Sequence, residues 1–225
     1  MNLKGFLKYA SEEENLFKTL FISLLTSFAV LALFYFIALK NVDDFIPKYG
    51  LYLFFAILSY GLILLSARHV RTYREFACMS GMMIGMTIGA IAGILTGFFI
   101  GATNGMFWGS VFGMGVGILF GVWNGKCCGI MGVMEGIMAG FMGGLMGAMT
   151  SLMTLNDNLN YMGIIIFIVS GFIVLGLNYM IYKETRDIKE KSKENDFFII
   201  FWSILLTAIT IWIMVFGPRS ALFGG

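Results

Sequence analysis

Gly81-Met-Met-Ile-Gly85-Met-Thr-Ile-Gly89-Ala-Ile-Ala-Gly93-Ile-Leu-Thr-Gly97 places glycine at every fourth position, and the series runs on unbroken through Gly101, Gly105, Gly109, Gly113, Gly117, Gly121 and Gly125 to Gly129. After one three-residue step it resumes at Gly132, Gly136, Gly140 and Gly144. A spacing of four keeps successive glycines on one slowly rotating stripe of a helix, where the missing side chain lets another backbone approach closely. In water each such glycine would cost about 1 kcal/mol relative to alanine in a helix interior. So long a series therefore implies extensive close contact between helices.

The surroundings of this block set its solvent. The chain has 225 residues, 59% of them apolar and only 12% charged, and its mean hydropathy is +0.86. That is too little polar surface to coat a soluble globule. Apolar runs long enough to cross about 30 Å of hydrocarbon occur at 19–39, 50–67, 78–101, 106–123, 129–153, 162–182 and 197–217. Continuous runs of this length are helices; a membrane β-barrel would show short alternating segments. The first run is expected to stay in the protein rather than be removed as a signal peptide, because residues including Glu12, Glu13 and Glu14 precede it and it exceeds an ordinary signal core in length.

Lysine and arginine gather in every second connection. Lys4, Lys8 and Lys18 precede the first run, Arg68, Arg71 and Arg74 follow the second, Lys126 follows the fourth, and Lys183, Arg186, Lys189, Lys191 and Lys193 follow the sixth. Only Lys40, Lys48 and Arg219 of the 15 basic residues fall on the other side, which predicts a cytoplasmic N-terminus. The reading is an all-α integral membrane protein of seven transmembrane helices. A central Gly-zipper three-helix core (78–153) is flanked by two pairs of apolar helices, one in 1–77 and one in 154–225, expected to surround it. A prokaryotic plasma membrane is the expected location and the lipid bilayer the expected partner. A net charge of +2, with the basic residues accounted for by orientation, leaves no surface for nucleic acid.

Within the core, Gly93 to Gly105 aligns with Gly113 to Gly125 as a repeat that superposes Asn104 on Asn124. Both Asn-Gly pairs are predicted to reverse the chain. Pro47 and Pro218, the only prolines, are placed outside the spans.

Thirteen of the 17 methionines lie in 78–153. Met134, Met138, Met142 and Met146 recur at intervals of four, about 200° round the helix from Gly132, Gly136, Gly140 and Gly144. Met82 and Met86 add sulfur near the start of the third span. All three cysteines, Cys78, Cys127 and Cys128, fall at the predicted cytoplasmic face, where thiols stay reduced and open to soft metals. Glu135 lies about 10 Å into the membrane at 1.5 Å per residue, where a carboxylate faces a cavity, a cation or a hydrogen-bonding neighbour. Thioether and thiolate ligands select Cu(I), and weak neutral sites in series permit both binding and release. Met filling gaps opposite a smooth Gly face is the competing explanation. His69, alone among arginines, is read as a surface residue, and Asp43, Asp44 and Asp157 as loop acids.

The spacing Met134-xxx-Met138-xxx-Met142 beside Gly132-xxx-Gly136-xxx-Gly140 resembles the CTR copper-uptake family, in which thioethers line a pore and glycines permit tight packing. The resemblance covers local spacing only. Those transporters have three spans and carry the two motifs on different helices, whereas one helix carries both here.

The expected function is membrane transport or handling of a soft metal ion, copper(I) first. Met134, Met138, Met142 and Met146 are the path, Glu135 the charge-compensating group, and Cys78, Cys127 and Cys128 the exchange point, with the sulfurs expected to turn inward. The alternative is a structural or assembly subunit of a membrane complex that packs through its Gly stripes, alone or as a homo-oligomer. No Walker loop, GxSxG or HExxH occurs and no general base accompanies the cysteines, so an enzyme is not expected.

Overall fold

The computed structural model describes residues 14–37, 45–72, 78–185 and 196–217. Among them the secondary structure is helical: α1 (Glu14–Ile37), α2 (Phe45–Thr72), α3 (Cys78–Asn104), α4 (Met106–Gly125), a 3-10 turn (Lys126–Cys128), α5 (Gly129–Met153), α6 (Leu159–Thr185) and α7 (Asp196–Phe216). Five stretches are long and apolar enough to cross a membrane: Gly50–Val70, Met79–Asn104, Met106–Met153, Leu159–Glu184 and Ile199–Phe216. The third of these contains both α4 and α5, and Leu20–Phe36 in α1 is a shorter apolar helix.

The glycine series builds one object. α3 and α4 run antiparallel, pairing Gly85 with Gly125, Gly89 with Gly121, Gly97 with Gly113 and Gly101 with Gly109. α4 and α5 also run antiparallel, pairing Gly125 with Gly132, Gly121 with Gly136, Gly117 with Gly140 and Gly113 with Gly144. The third side is parallel: Gly97 meets Gly144, Gly101 meets Ala148, and Ala90 and Ile94 of α3 meet Gly143 and Gly147 of α5. The predicted three-helix glycine core is thus present, and its glycines are consumed inside the chain. A β-carbon on Gly93 would stand 2.7 Å from the Gly144 nitrogen, and one on Gly121 would stand 2.5 Å from the Gly136 carbonyl oxygen. Neither neighbour can move aside, because both are backbone. Such proximity gives dispersion contacts and Cα–H···O contacts that no larger residue would permit.

The two turns of the core differ. α3 and α4 are joined by Gly105 alone, at φ +90, with its N–H bonded to the Gly101 carbonyl at 3.0 Å. Asn104-Gly105 therefore reverses the chain as predicted, because glycine adopts positive φ without steric penalty. Asn124-Gly125 does not. Gly125 stays helical at φ −76, pressed against Gly132, and the reversal falls to the 3-10 turn and to Gly129 at φ +70.

The expectation that the flanking pairs surround the core is corrected. α3 is the hub: its face opposite the glycines, Ile84, Ile88, Ile91, Leu95, Phe98 and Phe99, is buried, and α2, α6 and α7 pack on it. α1 lies outside, against α2 and α7. Phe55 of α2 stacks on Phe99 with ring planes 5° apart, and Trp202 of α7 meets Phe120 and Trp123 of α4 edge-on. The packing partners of α5 are α3, α4 and the 3-10 turn, so its outer face stays open.

Polar groups tie the flanks together. Ser203 of α7 shares hydrogen bonds with the hydroxyls of Ser27 and Thr26 at 2.7 and 2.9 Å and donates to the Ser23 carbonyl at 3.1 Å. The Tyr60 and Thr210 hydroxyls meet at 2.5 Å, and the Tyr52 hydroxyl donates to Asn160 Oδ1 at 2.7 Å. Pro47 lies in the first turn of α2 and, as expected, before the apolar stretch Gly50–Val70; in the first helical turn its missing N–H leaves no bond unmade.

Candidate functional site

Positions on α5 follow from 100° per residue. The glycine and alanine face that enters the core (Gly132, Gly136, Ala139, Gly140, Gly143 and Gly147) is buried, so the opposite face must point away from it. Met134, Met138, Met142 and Met146 are 58%, 61%, 56% and 62% exposed. Met131, Met149 and Met153 extend the stripe and are exposed too. The expectation that these sulfurs turn inward is corrected: the core axis is filled by backbone-to-backbone contact, and the thioethers form a ladder on the outside. The four central sulfur residues cover about 18 Å at 1.5 Å per residue.

Glu135 belongs to this face rather than to the core. It is half-buried, and its angular position falls between those of Met138 and Met146. Met131 lies four residues before it and Met138 three after, the spacings that make side chains neighbours on a helix. No hydrogen bond or ion pair among the described residues engages its carboxylate. Two thioethers and one carboxylate thus share a patch of outward surface near the start of α5.

At that same end stands the turn that carries the thiols. Cys127 is a free, exposed cysteine whose Sγ donates to the Asn124 carbonyl at 3.2 Å. Cys128 is half-buried and disulfide-bonded, so the expectation of open thiols at both positions is corrected: in this form one of the pair is free. Cys78 opens α3, and its side chain lies outside the described residues. Met82 is half-buried and Met86 exposed on α3. Met86 is one turn before Ala90, whose carbonyl faces Gly143, so it continues the α3 stripe that borders α5. The Met row of α5 and Met86 of α3 are therefore outward and exposed, whereas Met82 and Cys128 are half-buried. Among the described residues no cluster of three or more His, Cys, Asp or Glu forms, which leaves thioether as the dominant donor type.

Elsewhere, an open apolar cleft of about 340 Å³ lies between α4 and α7, lined by Trp108, Phe112, Leu119, Trp202 and Ile209 among others. None of the candidate site residues reaches it.

His69 corrects the surface expectation. It is 2% exposed, inside α2, with Nδ1 at 3.0 Å from Asn178 Oδ1 of α6. An amide oxygen accepts, so Nδ1 carries the proton in this pair. α2 continues past the apolar run that ends at residue 67 and carries His69 into the packing with α6. Asn178, in the middle of an apolar stretch, was the available signal: a buried amide needs a partner.

These observations define an all-helical protein with five apolar stretches long enough to cross a bilayer, a glycine-welded three-helix core and an outward thioether face. No protein family, no curated protein and no solved structure matches this chain.

Proposed function

We propose that the chain is an integral membrane protein of seven spans, N-terminus cytoplasmic, in a prokaryotic plasma membrane, and that it handles a soft monovalent metal ion, copper(I) first, on the outer face of α5. The observation that carries this reading is the unbroken row of exposed thioethers, one helical turn apart, with a carboxylate in the same face and a free thiol at its end. Thioethers hold Cu(I) without adding charge to the membrane interior. Glu135 supplies the compensating negative charge at the entrance, beside Met131 and Met138, and Cys127 offers the stronger donor where the ion is exchanged with the cytosol. A sulfur row on the outside of one chain becomes a path when a second copy presents the same row to it, so the working unit is read as a homo-oligomer. No covalent chemistry on a substrate is part of this reading.

The second reading is an assembly subunit, in which Met is filler and a partner helix covers the α5 face. What favours it is that this face is bulky, apolar and uncovered, while the Gly stripes first assigned to docking are engaged within the chain. Replacing Met134, Met138, Met142 and Met146 together by Leu keeps bulk and hydropathy but removes sulfur. The metal reading expects loss of copper accumulation or of copper tolerance in cells expressing this variant. The assembly reading expects normal behaviour, and that outcome would reject the metal reading.

A further inference from the structure

α4 and α7 run antiparallel and are pinned together at two points. At one end Trp202 of α7 meets Phe120 and Trp123 of α4 edge-on, with ring centroids 5.4 and 5.1 Å apart. At the other, Asn104, two residues before α4, donates from Nδ2 to the Ile213 carbonyl of α7 at 2.7 Å. The main packing partners of α7 are α1, α2 and α3, and between the pins the cleft of about 340 Å³ stays open beside α4. Every residue lining it is apolar. Gly115, on its floor, is the one glycine of α4 outside the four-residue series, and a β-carbon there would meet nothing within 4 Å. Glycine in a helix interior costs stability, and at 115 no close backbone contact offsets that cost; its effect is to keep the cleft clear. Trp108, Gly115, Leu119 and Lys126 follow one another at seven, four and seven residues, spacings that keep them on one face. Lys126 is exposed, and among the described residues no ion pair or side-chain hydrogen bond engages its ammonium.

We propose that this cleft is a lipid-binding site that holds one acyl chain of an anionic phospholipid, with the lipid phosphate at Lys126. From Trp108 to Leu119 it is about 16 Å long at 1.5 Å per residue, close to one leaflet's half of a hydrocarbon core about 30 Å thick. Spread over that length, its volume leaves a section of about 20 Å². One extended hydrocarbon chain fills such a section, whereas a partner helix, about 10 Å across, does not enter it. A polar ligand would find no hydrogen-bonding side chain in the lining, and water needs polar partners that the walls do not offer. An empty cleft forfeits dispersion contacts along both helices, which a hydrocarbon chain restores. The Cα–Cβ bonds of a helix tilt toward its N-terminus, so Lys126 leans toward the mouth of the cleft. Trp123 and Trp202 stand between Lys126 and the apolar walls, at the level where chain meets headgroup and where tryptophan is enriched. The site rests on the chain lying in a bilayer; it shares no residue with the thioether face of α5 and needs no metal.

The test uses the full chain purified in detergent, stripped of lipid by washing and titrated with phosphatidylglycerol or with phosphatidylcholine of the same chains, read by native mass spectrometry. One phosphatidylglycerol per chain, bound in preference to phosphatidylcholine, is the expected result. Lys126→Gln is expected to weaken phosphatidylglycerol about fivefold, the worth of one basic residue at an anionic lipid, and to leave phosphatidylcholine unchanged. Gly115→Leu fills the cleft and is expected to abolish the site for both lipids; its side chain has room, so the lipid-free melting temperature holds or rises. Equal affinity for the two lipids, no binding, an unchanged phosphatidylglycerol affinity in Lys126→Gln, or a lipid retained in Gly115→Leu would overturn the proposal. So would a dimer that Gly115→Leu disrupts, since the occupant would then be a second copy. The comparison of headgroups on the natural sequence needs no substitution, so a poorly folding variant does not blunt the test. No metal is present in it, so failure here and failure of the metal reading are distinguishable.

Discussion

A β-carbon on Gly117 would stand 2.9 Å from the Gly140 Cα and 2.8 Å from its carbonyl oxygen: α4 and α5 touch there backbone to backbone, with no side chain between. The same relation recurs every fourth residue along the hairpin, so the core is rigid as a unit and its outer faces are fixed by its inner one. Gly117→Ala is expected to destabilise the protein by about 1–3 kcal/mol, the range for overpacking. Gly115→Ala, two residues away, serves as the control, because a β-carbon there meets nothing within 4 Å. Thermal unfolding in detergent should separate the two, with only the Gly117 variant melting lower.

His69 and Asn178 bind α2 to α6 from inside the fold. His69→Ala leaves the buried Asn178 oxygen without this donor, and an unsatisfied buried acceptor costs about 1–3 kcal/mol. The variant is expected to melt lower than the natural protein. An unchanged melting temperature would mean that water reaches Asn178.

Glu135 is placed to compensate one positive charge on the α5 face. Glu135→Gln keeps its shape and removes its charge. If the contact is worth about 1.4 kcal/mol, affinity for Cu(I), or for Ag(I) as its redox-inert substitute, falls roughly tenfold. Because the carboxylate makes no hydrogen bond or ion pair among the described residues, folding stability is expected to hold or rise. Competition titration against a Cu(I) chelator measures the first, and thermal unfolding the second.

How much was legible in the sequence depends on what each residue reports. Gly at intervals of four reads directly as close helix packing, since no other residue permits it, and the structure places those glycines where α3, α4 and α5 meet. Period also puts Met134 to Met146 opposite Gly132 to Gly144. It does not say which side the rest of the protein will cover; here the glycine side is inside and the flanking helices choose α3, so the sulfurs face out. His69 misleads because Arg68 and Arg71 beside it mark the end of an apolar run, although the helix continues and buries the imidazole. The Asn124-Gly125 turn misleads because Gly125 is needed against Gly132 for packing, which leaves the bend to Gly129. Cys128 misleads because the expected compartment implies a thiol, whereas the structure has this residue in a disulfide.

X-ray absorption at the copper edge, recorded on purified protein loaded with Cu(I), tests the central claim that the outward thioethers of α5 hold the ion. A shell of sulfur neighbours that is lost or sharply reduced when Met134, Met138, Met142 and Met146 are replaced together by Leu is the predicted result. An identical sulfur shell and stoichiometry in that variant would contradict it.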